Sequence, residues 1–257
     1  METIIIAIAA LVASGLTLFS GFGLGTLLMP IIALFFPVDV AIGITAMVHF
    51  ANNIFKLGLL GLHADKSVII RFGIPAVFAA FIGAFFLGWL SSLDPVFEYS
   101  LLGKTLQVMP IKLIIGIIII SFVVLELSSA FSSITLDKRF LPIGGCISGF
   151  FGGLSGNQGA FRSMFLLKAG LSKEQFIATG IVLAVMVDSS RMLIYGWDAI
   201  SSQKTVDWFL VFVATISAFS GAFIGSRLIK KLTIHAIQIM VSSLLLIIAL
   251  GLITGIL

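Results

Sequence analysis

Residues 140–168 read FLPIGGCISGFFGGLSGNQGAFRSMFLLK, and the fold turns on how this stretch sits in its solvent. No charge appears before Arg162, so water is the wrong solvent for most of it. It is too long for one straight membrane span of about 20 residues and too short for two. Gly152, Gly153, Gly156 and Gly159 interrupt its middle. Glycine weakens a helix interior and permits left-handed backbone, so the stretch reads as two short helical legs meeting at a break. The competing reading is one long, bent helix. Residues 3–38 repeat the pattern, uncharged up to Val38 and interrupted by Gly21, Gly23 and Gly25.

The remainder of the chain agrees with a lipid solvent. Of 257 residues, 60% are hydrophobic and 10% charged, and the mean hydropathy is +1.23. A typical soluble domain carries about 25% charged residues and needs them to cover its surface. A soluble enzyme, a nucleic-acid binder and a disordered chain are thereby excluded. The net charge of +4 sits in short clusters between apolar runs, where it acts as a topology signal. The single cysteine, Cys146, allows no intrachain disulfide and is expected to be a small buried residue. Three scattered histidines and one cysteine supply no metal site, and no cofactor motif is visible.

Six further apolar runs fit single spans: 40–62, 69–90, 112–131, 175–195, 206–229 and 234–257. Suppose each broken region enters and leaves on one side. Lys66, Arg71, Lys138, Arg139, Lys168, Lys173, Arg227, Lys230 and Lys231 then share one face, against Lys104, Lys112 and Lys204 on the other. That asymmetry favours hairpins and places both termini outside the cytoplasm. The layout of a broken region followed by three spans occurs twice. Gly15 and Gly25 match Gly149 and Gly159, and Ala41, Gly43, Ile44 and Val48 match Ala178, Gly180, Ile181 and Val185. The expected fold is an all-α polytopic membrane protein with two repeats, 1–131 and 140–257, joined by a linker at 132–139. Three spans per repeat is an odd number, so the repeats are inverted. Residues 91–110 are less apolar, with room for an interfacial helix.

Ionisable groups at membrane depth are functional candidates by default. His49, Asn52, Asn53 and Lys56 are spaced at three and four along one helical face. Ser189 and Ser190 occupy the positions of Asn52 and Asn53 in the second repeat, flanked by Asp188 and Arg191. At each break the second leg begins with unpaired N–H groups and a positive dipole end, suited to an anion. Those starts fall near Gly25 and Thr26, and near Asn157, Gln158 and Gly159, with Arg162 one turn on. Lys56, Arg162 and Arg191 against Asp188 leave a formal +2, which favours a small anion over a cation. His49 and Asp188 are candidates for a proton relay. Simpler roles remain open: Lys56 reaching the nearby loop, the asparagines joining helices, Asp188 pairing with Arg191, and the glycines serving close packing.

Gly149-Phe-Phe-Gly-Gly-Leu-Ser-Gly-Asn-Gln-Gly159, followed by Ala160, Arg162-Ser163 and Ala178-Thr-Gly180, resembles the TauE/SafE sulfite exporter family. So does the first region, Gly15 through Gly25 with Pro30, Ala41-Ile42-Gly43 and Asn52, although Phe22 and Leu24 separate glycines that the family usually has in succession and Ile44 replaces a usual threonine. The resemblance implies a permease of the bacterial cytoplasmic membrane for sulfite, sulfonates or related anions. The expected activity is therefore secondary transport of a small anion by alternating access, with the lipid bilayer as surroundings, no nucleic-acid partner and room for a homo-oligomer. Two other readings compete. Gly153-Leu154-Ser155-Gly156 has the form of a serine intramembrane protease motif, which needs a histidine base, and a non-transporting scaffold needs no site at all.

Overall fold

The computed structural model describes residues 1–20, 24–60, 63–101, 103–128, 137–156, 158–167, 169–201, 206–228 and 234–257. Long runs of Ile, Leu, Val, Phe and Ala with polar residues confined to their ends make helices, because lipid obliges each backbone to satisfy its own hydrogen bonds. In chain order these are α1 (Glu2–Ser20), α2 (Leu24–Ile32), α3 (Val38–Leu60), α4 (Lys66–Ser91), α5 (Pro110–Leu127), α6 (Leu141–Ser155), α7 (Gly159–Leu166), α8 (Lys173–Ser201), α9 (Trp208–Leu228) and α10 (Ile234–Ile253). Each of the six expected single spans is a helix. Four of them, α3, α4, α8 and α9, are long and apolar enough among the described residues to cross a membrane. Asp65 caps α4 by accepting from Val68 N–H at 2.9 Å, and a π-helical turn at Ile69–Gly73 lies within it.

Both broken regions are interrupted. α2 has 9 residues and α7 has 8, so at 1.5 Å per residue neither exceeds about 14 Å, half the depth of the hydrocarbon core. α6 ends on Gly156 at φ +80°, a left-handed cap that an L-residue takes up only with strain, and its N–H bonds back to Gly152. Residues 21–23, with Gly21 and Gly23, where the first break is expected, lie outside the described residues.

The helix surfaces show which solvent each faces. On α4, Ile70, Ile74, Phe78, Ile82, Phe85 and Trp89 form an exposed stripe, while Ala76, Ala80, Gly83 and Ala84 are buried. Large apolar side chains outward and small ones inward is the arrangement of a lipid-facing helix. The small residues let backbones touch: a Cβ at Gly145, Gly149 or Gly153 of α6 would run into the Phe72, Ala76 and Ala80 carbonyls of α4. Gly221 and Gly225 of α9 meet Leu11 and Gly15 of α1 in the same way. The main pairings are α4 with α6, α1 with α9, α3 with α8, α5 with α10, α4 with α8, and α3 with α9. Exchanging the first five helices for the last five, in order, leaves that set unchanged.

Two expectations are corrected. Residues 91–110 hold a β-hairpin instead of an interfacial helix: β1 (Phe97–Leu101) pairs antiparallel with β2 (Lys104–Val108) through a turn with Gly103 at φ +76°. Two strands alone are marginal, and this pair is tied to the end of α10 by Tyr99, whose hydroxyl donates to the Thr254 carbonyl at 2.5 Å. Cys146 is exposed, because α6 turns its glycine face to α4 and leaves Cys146 on the outer side.

The glycine ladder makes the first prediction. Gly149→Leu should lower the thermal midpoint of the detergent-purified protein sharply, by a penalty above about 2 kcal/mol from overpacking. Gly43→Ala, where an added Cβ meets nothing within 4 Å, should be neutral or stabilising by up to about 1 kcal/mol. Equal effects at the two positions would show that α4 and α6 do not touch through glycine.

Candidate functional site

Where α3 and α8 pack they bury a cluster of polar side chains. Asp188 of α8 is wholly buried and is its hub. One carboxylate oxygen, Oδ2, lies 2.7 Å from His49 Nδ1 and accepts from Asn53 Nδ2 at 3.1 Å, both on α3. The other, Oδ1, accepts from Arg191 Nε at 3.0 Å and from Gln158 Nε2 at 3.4 Å. A buried carboxylate with four donors around it meets the requirement that intramembrane charge be paired.

Arg191 reaches from Asp188 to the break. Its Nη2 lies 2.8 Å from Oδ1 but at an angle that makes no hydrogen bond, and it has no other hydrogen-bond partner. Its Nη1 lies 2.7 Å from where a Cβ on Gly156 would be, so a side chain there would push the guanidinium aside, and the φ of +80° favours glycine in any case. The two interrupted regions also meet: a Cβ on Gly25 would sit 3.6 Å from the Gly156 carbonyl, beside Thr45 and His49. Tyr195, one turn beyond Arg191, donates its hydroxyl to the Gly153 carbonyl. Ser148 Oγ donates to the Gln158 carbonyl at 3.0 Å and fixes the start of α7.

The cations outnumber their counterions. Arg162 of α7 and Lys56 of α3 are near enough to feel each other's charge, and Arg162 also feels Asp188. Among the described residues no carboxylate lies within salt-bridge reach of either. Arg162 Nη1, Arg191 Nη2, Gln158 Oε1 and Thr45 Oγ1 are buried without a hydrogen-bond partner. A buried polar atom is costly unless a protein group, water or an ion meets it.

Several expected site residues fall elsewhere. Asn52 exchanges hydrogen bonds with Ser14 of α1 at 3.1 and 3.4 Å and so joins helices. Ser189 is exposed and its hydroxyl is bonded to the Val185 carbonyl of its own helix; Ser190 is buried but likewise bonds Met186. A serine hydroxyl inside a helix is readily captured in this way by the carbonyl one turn back. Gly25 and Gly159 stand at the starts of α2 and α7 as expected, and Thr26 is half-buried beside Gly25. Asn157 lies outside the described residues. Ser155 donates to the Phe151 carbonyl at 3.1 Å. Sequence reading missed Ser14, Thr45 and Tyr195.

A cavity of about 580 Å³ opens between the early turns of α3, the late turns of α4 and α8, and the start of α9. Trp89, Trp197 and Trp208 line it, which are all three tryptophans of the chain, and so does Tyr195. Its wall thus reaches the break that Tyr195 holds.

A bundle of apolar helices around a buried, cation-rich cluster at two helix breaks defines a multi-pass membrane permease. The family model described as "Sulfite exporter TauE/SafE" matches residues 6–252, and the chain belongs to that family. No curated protein matches the chain.

The network makes a second prediction. Asp188→Ala should destabilise the protein by about 3–5 kcal/mol, because it leaves Arg191 buried and unpaired. Adding Arg191→Met should recover much of that loss in a thermal unfolding series. A double variant as unstable as the sum of the two singles would show that the pair is not coupled.

Proposed function

We propose that the protein is a secondary transporter that moves a small sulfur-containing anion, sulfite or a simple organosulfonate, across the bacterial cytoplasmic membrane. The observation that carries this reading is the pair of guanidinium groups at the α6–α7 break: Arg162, whose Nη1 is buried without a hydrogen-bond partner, and Arg191, held by Asp188 alongside it. Two oxygens of a sulfite or sulfonate group match paired guanidinium donors in charge and geometry. The starts of α2 and α7 add oriented N–H groups. With Lys56, the three cations exceed Asp188 by a formal +2, so an anion lowers the buried charge where a cation would raise it.

Alternating access follows from the same packing. The set of helix pairings is unchanged on exchanging the halves, which supports two repeats related by a pseudo-twofold axis in the membrane plane. The contact between Gly25 and the Gly156 carbonyl, which brings the two interrupted regions together, supports the same reading. In this reading the tryptophan-lined cavity is the vestibule on the side opposite the basic loops, and access passes to the other side when one repeat rocks on the other. Tryptophan at the rim suits the membrane interface.

Proteoliposome flux tests the reading. Arg162→Ala and Arg191→Ala should each cut sulfite and methanesulfonate uptake at least tenfold while the protein remains monodisperse. Ser189→Ala should leave uptake within about twofold of wild type, since an exposed surface serine contributes little. Undiminished uptake in both arginine variants would remove the site from the transport path. The inverted topology is tested by impermeant thiol labelling in a Cys146→Ser background: Ser172→Cys should react from the cytoplasm and Gly103→Cys from outside, and labelling of both from one side would refute it.

A further inference from the structure

Arg191 is claimed twice. In the structure both its Nε and its Nη2 are held by Asp188 Oδ1, at 3.0 and 2.8 Å, yet its Nη1 faces the break at Gly156, where an anion would bind. An anion arriving at Arg191 meets the Asp188 carboxylate as a competitor of like sign. That carboxylate has a second contact of a different kind: the His49 imidazole, 2.7 Å away on the opposite repeat. Imidazole and carboxylate together can take up one proton at this spot, on His49 or on Asp188, and either site lowers the charge of the pair from −1 to 0.

We propose that anion transport by this protein is coupled to protons, one proton boarding the His49–Asp188 pair with each monoanion bound at Arg191. The inference rests on the anion-site reading above and adds the coupling ion to it. The charged and titratable groups facing the His49–Asp188 pair are Lys56 from α3, which acts on His49, Arg162 from α7, and Arg191 and Tyr195 from α8. With three cations against Asp188, the resting cluster is +2. A proton alone makes it +3, and an anion alone makes it +1. The two together return it to +2. The empty and the fully loaded cluster then carry the same buried charge, whereas a cluster carrying only one of the two does not. In a medium where uncompensated charge is expensive, the two matched states are the ones able to reorient.

The same geometry makes proton and anion binding mutually reinforcing, since each lowers the cost of the other and linkage is reciprocal. Asn53 donates to the same Asp188 oxygen that His49 contacts, and Gln158 donates to the oxygen held by Arg191. These amides keep the carboxylate oriented when the guanidinium shifts toward the anion. The proton comes from water on the side to which the cluster is open and returns to water on the other, with no covalent change in the protein.

The test uses purified full-length protein in liposomes with [14C]methanesulfonate, which stays ionised across the working pH range. At equal pH on both sides, wild-type vesicles should exchange label. With the outside one pH unit more acid, they should concentrate it inside, up to about tenfold for one proton per anion. Because that stoichiometry moves no net charge, clamping the membrane potential with potassium and valinomycin should leave the accumulation unchanged. In Asp188→Asn, whatever exchange persists should no longer be concentrated by the pH gradient. His49→Gln, with the carboxylate intact, should show reduced concentration and gives the answer if the first variant does not fold. Vesicles that exchange label but do not concentrate it, or that concentrate it equally in Asp188→Asn, overturn the coupling alone. Wild-type vesicles that exchange no label overturn the sulfonate reading of the site, and this inference falls with it.

Discussion

The structure is organised around one buried carboxylate. Asp188 has no exposed surface, sits among apolar helices, and is tolerated there because His49, Asn53, Gln158 and Arg191 surround it. A lone charge at that depth would cost more than the whole fold can spare. The donors come from α3, from the start of α7 and from α8 itself, so satisfying Asp188 requires both halves of the chain to be in place. The glycine contacts between α4 and α6 and between α1 and α9 then bring the remaining helices close enough to enclose it.

The second constraint is the break. Backbone that leaves helical geometry inside a bilayer must face protein or a water-lined cavity. The break at Gly156 obeys this by facing protein, with its carbonyl against Gly25 and Arg191 beside Gly156 itself. In the proposed reading the start of α7, with Arg162, Arg191 and Lys56 nearby, is where an anion is held.

Much of this was legible in the sequence, for reasons that differ by element. The six single spans were readable because lipid imposes length and composition together. The broken regions were readable because glycine clusters have few other uses inside an apolar run. The α8 pair Asp188 and Arg191, three residues apart, was visible from helical spacing. Its link to His49 was not, since 139 residues separate the partners and only the α3–α8 packing joins them. The pairing of Asn52 with Ser14 was hidden for the same reason; a serine within a stripe of small residues on α1 was the available signal. The bonds of Ser189 and Ser190 to their own helix were not anticipated from their alignment with Asn52 and Asn53. The hairpin at 97–108 was missed because its support comes from Thr254, at the far end of the chain.

The claim on which the account stands is that the cations around Asp188 hold an anion. Thermal unfolding of the purified protein in sodium sulfite and sodium methanesulfonate, at ionic strength matched with sodium chloride, measures it without assuming transport. The account predicts a midpoint that climbs with the logarithm of anion concentration above the dissociation constant, and no such rise in an Arg162→Ala, Arg191→Ala double variant. A midpoint indifferent to both anions, or one that follows the cation when sodium is exchanged for potassium, would contradict it.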